Sequence, residues 1–128
     1  MSNQDSAPEL ERVIERYNTA WNAHDVDAIV ALHAPGMVFA NHTAGEQVEG
    51  EAVRGHIAQI FENWPDLVFH GRRLYVRDGL AVNEWTATAT AADGRRLEWD
   101  GVDIFPFRDG LILRKDVYSS SHSPRALS

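Results

Sequence analysis

The chain has 128 residues, a length typical of a single domain. Its 19 acidic and 12 basic residues give a formal net charge of −7, which argues against nucleic acid or an anionic membrane as a partner, since both are bound through clustered lysine and arginine. Because the chain has no cysteine, disulfides, catalytic thiolates and cysteine-ligated metal sites are excluded.

The first predicted element is an amphipathic helix over about 7–23. Its apolar side chains recur at the spacing of one helical face, and they are Leu10, Val13, Ile14, Tyr17 and Trp21. Ser6 and Glu9 precede this stripe at the spacing of a capping box, in which each side chain accepts from the other's backbone N–H. Tyr17 lies within the buried stripe, so its hydroxyl is expected to need a partner.

Two further helices are predicted in the first half of the chain. Asp25 is expected to cap a short second helix that carries His33 on its apolar face and ends at Pro35-Gly36. Apolar residues at helical spacing predict a third helix over about 53–64, which Pro65 ends. Between these two helices, a short strand over about 37–40 is followed by a turn-rich segment.

The second half of the chain predicts a meander of four antiparallel strands. Segments of strand length are separated by Asp-Gly pairs, a strong hairpin signal, and they cover 67–77, 80–91, 95–107 and 111–119. Strands that follow a run of helices indicate an α+β fold. We therefore expect one domain over 1–128, with a core of about 7–119 and a polar, mobile tail over 120–128. Which face of the segment 80–91 points inward stays open.

Two charged residues interrupt apolar strand faces. Strand alternation places Asp103 on the same face as Leu97, Trp99, Gly101 and Phe105. An acid there is either paired or kept neutral by burial, although a local twist that lets it reach solvent is an equal alternative. Lys115 lies among apolar residues of the last strand, and we expect its ammonium group to snorkel at the rim.

The histidines and glycines do not form a cofactor motif. None of the six histidines has a metal-ligand spacing, and no glycine-rich phosphate loop is present, so neither a metal nor a nucleotide cofactor is expected. His33 and His56 fall on predicted helix faces, where a histidine is more often structural than catalytic. The start of the chain is polar and acidic without an apolar run, so we expect no signal peptide and a cytoplasmic protein.

Three segments resemble the nuclear transport factor 2-like superfamily, and especially its SnoaL-like polyketide cyclases and ketosteroid isomerases. They are residues 17–25 (YNTAWNAHD), 29–33 (IVALH) and 101–112 (GVDIFPFRDGLI). The resemblance spans about 11–118. It implies a curved antiparallel sheet wrapped on the three N-terminal helices, forming a cone-shaped α+β barrel with a deep pocket. It also implies a homodimer formed through the outer face of the sheet.

The resemblance assigns roles to individual residues. Tyr17 and Asp103 fall on the oxyanion-hole tyrosine and aspartic acid of ketosteroid isomerases, in which the acid stays neutral and donates a hydrogen bond. His33 falls where those enzymes have a supporting tyrosine, so a contact between Tyr17 and His33 is expected. Asn41 replaces the aspartate that serves as general base, a role that an amide cannot fill. His56, or less favourably His42, is the candidate replacement.

The same resemblance suggests a function and its alternative. We expect a cofactor-free isomerase, cyclase or dehydratase that acts through an enolate on a small hydrophobic carbonyl compound, with Tyr17, Asp103 and His56 as catalytic residues. A non-catalytic binding or dimerisation module of the same fold is the alternative. Epoxide hydrolysis is disfavoured, because Val117 replaces the last-strand aspartate of limonene epoxide hydrolase. The expected pocket residues are Trp21, His33, Phe39, Asn41, Ile60, Trp64, Trp99, Lys115 and Val117.

Overall fold

The computed structural model describes residues 3–127, which form helices followed by the main strands of one curved sheet. The α-helices are α1 (Ala7–Asn22), α2 (Val26–Val30) and α3 (Ala52–Asn63), and a 3-10 turn over Asn3–Asp5 precedes them. The strands are β1 (His33–Asn41), β2 (Glu46–Glu49), β3 (Val68–Arg77), β4 (Leu80–Thr90), β5 (Arg96–Arg108), β6 (Leu111–Ser119) and β7 (Arg125–Leu127). The predicted α+β class is confirmed.

The strands follow the order β2-β1-β6-β5-β4-β3, and β7 pairs with β5 beside this path. β3 to β6 form the predicted antiparallel meander. β1 departs from the prediction of an antiparallel sheet, because it pairs in parallel with β6. The sheet is curved and unclosed, as in the cone fold of the nuclear transport factor 2-like superfamily.

The stripe of α1 packs into the concave side of this sheet. Leu10, Ile14 and Tyr17 are fully or almost fully buried, and α1 lies against β3 and β4. At the end of the helix, the Trp21 ring meets Phe39, Phe61 and Phe69 edge to face. Full burial of one large apolar side chain contributes about 1.5–3 kcal/mol, so this stripe fixes α1 against the sheet.

The region around His33 differs from its prediction. α2 ends at Val30, and His33 begins β1 instead of closing a helix face. Pro35-Gly36 lies within this strand, and Gly36 takes a φ of 73° at the irregularity between His33 and Val38. A local sequence pattern cannot show this strand, since it is stabilised by pairing with β6 from the far end of the chain.

Two strands that the sequence did not predict lie at the periphery of the sheet. β2 occupies part of the turn-rich segment and has mostly exposed side chains, so no apolar alternation marks it. The expected mobile tail is also wrong for Arg125–Leu127, which pairs with β5 as β7. The Arg125 guanidinium group binds Glu98 and Asp100 on β5 and holds this short strand in place.

The predicted helix caps have different outcomes. Ser6 lies at the N-terminus of α1 but makes no side-chain capping hydrogen bond, so the capping box is wrong. The Ala7 N–H instead donates to Asp78 Oδ1 at 3.0 Å. The cap of α2 is confirmed, because Asp25 Oδ1 accepts from the Ala28 N–H at 3.1 Å.

The turn between β5 and β6 and an irregularity beyond it together set the register of the site. Asp109 and Gly110 have φ values of 53° and 78°, the left-handed pair of a type I′ hairpin, as their Asp-Gly sequence predicts. The pairing then shifts by one residue between Ile104 and Phe107, which places Asp103 opposite Val117. Lys115, two residues before Val117, therefore shares the concave face with Asp103.

Candidate functional site

The concave face of the sheet, α1 and α3 enclose a cavity of about 390 Å³. This volume lies within the range of roughly 300–1,000 Å³ that is usual for small-molecule sites. Most of the lining is aromatic or aliphatic, and it includes Trp21, Phe39, Ile60, Trp64, Leu67, Phe69, Trp85, Leu97, Trp99 and Val117. Such a surface favours a ligand that contains rings or other apolar groups.

Polar residues from several elements also line this cavity. They include Asn41 on β1, His56 on α3, Asp103 on β5 and Lys115 on β6. The others are Glu46, Gln59, Asn63, Ser119 and Ser121. Asp103 Oδ2 lies 4.0 Å from Lys115 Nζ, and both side chains are only 7% exposed. A carboxyl group and an amine thus lie side by side where both are largely buried from solvent.

Lys115 is surrounded by aromatic rings. Its Nζ lies 3.8 Å from the centroid of the Trp21 ring, 5.0 Å from Phe39 and 5.1 Å from Tyr17. The expectation that Lys115 snorkels at the rim is wrong, because β6 is a central strand and this residue faces the interior. Lys115 is also the one lysine of the chain, whose other basic residues are all arginines. The presence of one lysine among arginines is the feature of the sequence that could have drawn attention to Lys115.

Burial controls the ionisation of the Asp103–Lys115 pair. It raises the pKa of the Asp103 carboxyl and lowers the pKa of the Lys115 amine, while the attraction between the two charges opposes both shifts. Asp103 Oδ1 and the Trp85 indole N–H make no well-formed hydrogen bond within residues 3–127, although Trp85 lies near enough to lower the pKa of Asp103. The pair therefore has unused hydrogen-bonding capacity next to the cavity.

Tyr17 and His33 form a separate polar pair. Tyr17 OH lies 2.9 Å from His33 Nε2, so the expected contact is confirmed. Burial raises the pKa of the Tyr17 hydroxyl and lowers the pKa of the His33 imidazole to about 3, so both groups are uncharged at neutral pH. Neither residue lines the cavity, contrary to the expectation for His33. Asp103 lies near enough that its charge also raises the pKa of the Tyr17 hydroxyl, but no hydrogen bond between these two side chains is found within residues 3–127.

The two candidate replacements for the missing base lie in different places. His56 lines the cavity, with its ring edge-on to Phe39 at 5.2 Å. His42 does not line the cavity. Its Nε2 lies 2.8 Å from Asp116 Oδ1, and its ring stacks on Tyr118. Asn41 lines the cavity, but its Oδ1 accepts from the Ala44 N–H at 3.1 Å and so serves a turn.

β4 contributes a cavity residue that the sequence left undecided. Trp85 lines the cavity, and Ala87 and Ala89 on the same face are fully buried. Thr86 on the opposite face donates to Asp100 Oδ1 at 2.8 Å. The inward facing of Trp85 depends on Gly101, which pairs with Trp85 and, having no side chain, leaves room for the indole ring.

The described residues contain neither a metal-binding cluster nor a membrane-spanning helix. Within residues 3–127, no group of three or more histidine, aspartate or glutamate side chains is arranged to hold a metal ion. None of the helices in this range is both long and apolar enough to cross a membrane.

Comparison with protein families identifies the chain. The family model of the SnoaL-like domain matches residues 14–115, from the middle of α1 to the middle of β6, and this range includes Asp103 and Lys115. The chain belongs to the SnoaL-like domain family. The resemblance to the nuclear transport factor 2-like superfamily is thereby confirmed. No curated protein matches the chain significantly.

Solved structures of similar fold cover nearly the whole SnoaL-like chain. SalBIII, an epoxide hydrolase/cyclase-like enzyme of pyran ring formation in salinomycin, superposes with a TM-score of 0.83 and 19% identity over 97% of this chain and 99% of its own. IdmH, a candidate polyketide cyclase from Streptomyces antibioticus, superposes with a TM-score of 0.79 and 18% identity, over 90% of this chain and 94% of its own. A candidate SnoaL-like polyketide cyclase from Jannaschia sp. CCS1 superposes with a TM-score of 0.78 and 18% identity, over 87% of this chain and 85% of its own. At these identities the similarity establishes the fold.

Proposed function

We propose that this SnoaL-like chain is an acid/base enzyme that moves a proton next to the carbonyl group of a small hydrophobic molecule. The reaction is an isomerisation, cyclisation or dehydration through an enolate-type intermediate. The observation that carries the proposal is the buried Asp103–Lys115 pair, which lies beside an apolar cavity with one carboxyl oxygen unpartnered. Fold neighbours named as cyclase-like proteins support an activity on small organic molecules.

Asp103 and Lys115 are suited to hold the carbonyl oxygen. In this proposal the Asp103 carboxyl group acts in its protonated form, which burial favours by raising the pKa, and donates a hydrogen bond to that oxygen. An N–H of Lys115 provides the second donor from the adjacent strand. Donors of this kind bind the developing enolate more strongly than the ketone, and removal of one costs about 3–4 kcal/mol of activation free energy.

His56 is suited to take the proton from carbon. Imidazole is the side chain whose ordinary proton affinity fits transfer near neutral pH. His56 reaches the cavity from α3, whereas the donors reach it from β5 and β6. A ligand between helix and sheet therefore has donors on one side and a base on another, which is the arrangement that enolisation requires.

Exchange of carbon-bound protons tests the proposal without knowledge of the natural substrate. Acetophenone in deuterated water is incubated with the protein, and loss of the methyl signal is followed by proton NMR. The wild type should accelerate exchange, Asp103→Leu should slow it about 100-fold or more, and His56→Ala by about 100-fold or more. His70→Ala is the matched control, since His70 is exposed and does not line the cavity.

A non-catalytic binding module is the second candidate function. The observation that favours it is Asn41, which lines the cavity where a general base would be expected but uses its Oδ1 in a turn. A binding module would bind acetophenone in the cavity and leave its exchange rate at that of buffer. That outcome in the NMR experiment would replace the enzymatic proposal.

The proposed function includes a homodimer. On β6, Tyr118 alternates with the inward-facing Val117 and is 46% exposed, with its ring stacked on His42. An aromatic pair on the outer face of the sheet is suited to an interface with a second copy. Sedimentation at tens of micromolar should give a dimer, and a monomer at that concentration would contradict this part of the proposal.

A further inference from the structure

Lys115 has a position and chemistry that hydrogen bonding alone does not use. It is the one lysine of the chain, it lines the cavity, and its Nζ lies within about 5 Å of the centroids of three aromatic rings. An arginine could donate a hydrogen bond there but cannot lose its proton and act as a nucleophile. A lysine can do both.

We propose that Lys115 forms a covalent imine with the aldehyde or ketone group of the ligand that enters the cavity. This inference rests on the proposed function for its choice of a carbonyl ligand, and it adds a covalent step that the proposed function does not need. The ligand class is a small aldehyde or ketone that carries a ring, since aromatic side chains form most of the cavity wall.

The surroundings of Lys115 favour a reactive amine. The amine must be uncharged to attack carbon, and a lysine desolvated in an apolar site is more readily deprotonated. Burial lowers the pKa of Lys115, and the Asp103 Oδ2 atom at 4.0 Å is farther away than a hydrogen-bond partner. Burial thus favours the neutral amine more than a protein surface does, whereas the ring faces attract the ammonium and the later iminium ion alike.

Asp103 is placed to move the protons of imine formation. Lys115 Nζ attacks the carbonyl carbon as the Asp103 carboxyl gives its proton to the carbonyl oxygen; the nitrogen then returns a proton to Asp103, and a carbinolamine results. Asp103 next protonates the carbinolamine hydroxyl, the C–O bond breaks and water leaves. The products are an iminium ion on Lys115, the Asp103 carboxylate and one water, so atoms and charge balance.

The aromatic rings match the charge of this product. The iminium nitrogen occupies the position of Nζ, which lies 3.8 Å from the Trp21 centroid and 5.0 Å from the Phe39 centroid. Ring faces attract a cation at these distances. The iminium ion also acidifies the neighbouring C–H bond, so that His56 can take that proton and leave an uncharged enamine.

Trapping with a reductant tests the inference directly. The full chain is incubated with benzaldehyde and sodium cyanoborohydride, which converts an imine into a stable secondary amine, and the modified peptide is identified by mass spectrometry. The variant Arg12→Lys adds a reference amine at an exposed position on α1. Since burial increases the neutral fraction of the Lys115 amine and the cavity places the aldehyde beside it, Lys115 should be modified faster than Lys at position 12.

The outcomes separate the covalent inference from the proposed function. Modification of Lys115 that is no faster than that of the reference amine would overturn the inference. A Lys115→Arg variant that exchanges acetophenone protons at the wild-type rate would also overturn it, and this result would leave the proposed function intact. A dominant Lys115 adduct without acetophenone exchange would support the inference and overturn the proposed function. Because trapping uses the wild-type cavity, its result does not depend on whether Lys115→Arg folds.

Discussion

Tyr17 and His33 join α1 to the start of β1 through a hydrogen bond of 2.9 Å that lies outside the cavity lining. Both groups are uncharged at neutral pH, and the tautomer of His33 determines which of the two donates. Tyr17, which the family resemblance assigns to the oxyanion hole, and His33, which it assigns to the support of Tyr17, therefore stabilise the packing of helix and strand. This arrangement makes the stability of the protein sensitive to acid.

His33→Gln should reduce the loss of stability at low pH. The pKa of His33 falls from 6.5 to about 3 on folding, so between these values the unfolded chain binds a proton that the folded chain does not. The free energy of unfolding therefore decreases as the pH falls through this window, by up to about 1.4 kcal/mol per pH unit. Glutamine can retain the hydrogen bond to Tyr17 without this titration.

Urea unfolding at pH 7 and pH 5 measures the effect. The stability advantage of the wild type over His33→Gln should shrink at pH 5, whereas His70→Gln, at an exposed position, should follow the wild type at both pH values. An equal dependence on pH for the wild type and His33→Gln would show that His33 does not contribute.

The parts of the fold that the sequence predicts well are those with local signals. The stripe of α1 and the Asp-Gly turn at Asp109 specify their structures through neighbours in the chain. β1 and β7 are different, because their strand conformation depends on β6 and β5, which lie far away in sequence. No periodicity within either segment indicates such a partner.

The same distinction applies to the candidate site. Alternation along β5 correctly puts Asp103 on the apolar, inward face, since facing is a local property of a strand. The environment of Lys115 could not be predicted in this way. The aromatic rings around its Nζ include Trp21 of α1 and Phe39 of β1. The distance between Lys115 and Asp103 depends on the register between β5 and β6. These relationships arise only when distant elements pack together.

Removal of one member of the Asp103–Lys115 pair should cost more stability than removal of both. Lys115→Met leaves the buried Asp103 carboxyl group without its polar neighbour and should lower the free energy of unfolding by about 1–3 kcal/mol. The double variant Asp103→Leu/Lys115→Met replaces the pair with apolar groups and should recover most of that loss. Urea unfolding of the two single variants and the double variant gives the coupling energy. Additive effects of the two substitutions would contradict an energetic link between them.

The Lys115 amine should titrate below its ordinary pKa of 10.5, and lower still in Asp103→Asn. Burial disfavours the ammonium form, and the Asp103 carboxylate opposes this effect, so loss of the carboxylate removes the opposition. Because the chain has one lysine, a single side-chain signal reports this titration by NMR of ¹³C-labelled protein. A pKa at or above 10.5 in the wild type, or no decrease in Asp103→Asn, would contradict the buried position of the amine.

Gly101→Ala should distort the cavity wall. A Cβ atom at this position would lie 2.2 Å from the Trp85 ring, so the indole group has to move out of its place beside the cavity. Overpacking of this kind costs about 1–3 kcal/mol of stability. Because Trp85 also neighbours Asp103, we expect Gly101→Ala to weaken the binding of benzaldehyde as well.

Gly71→Ala is the matched control for this substitution. Gly71 also lies in a strand of the sheet, but a Cβ atom there would meet nothing within 4 Å. Its urea midpoint and its benzaldehyde titration should stay close to those of the wild type, while both should change in Gly101→Ala. If the two alanine variants behaved alike, the close approach of Trp85 to Gly101 would not be what shapes the cavity.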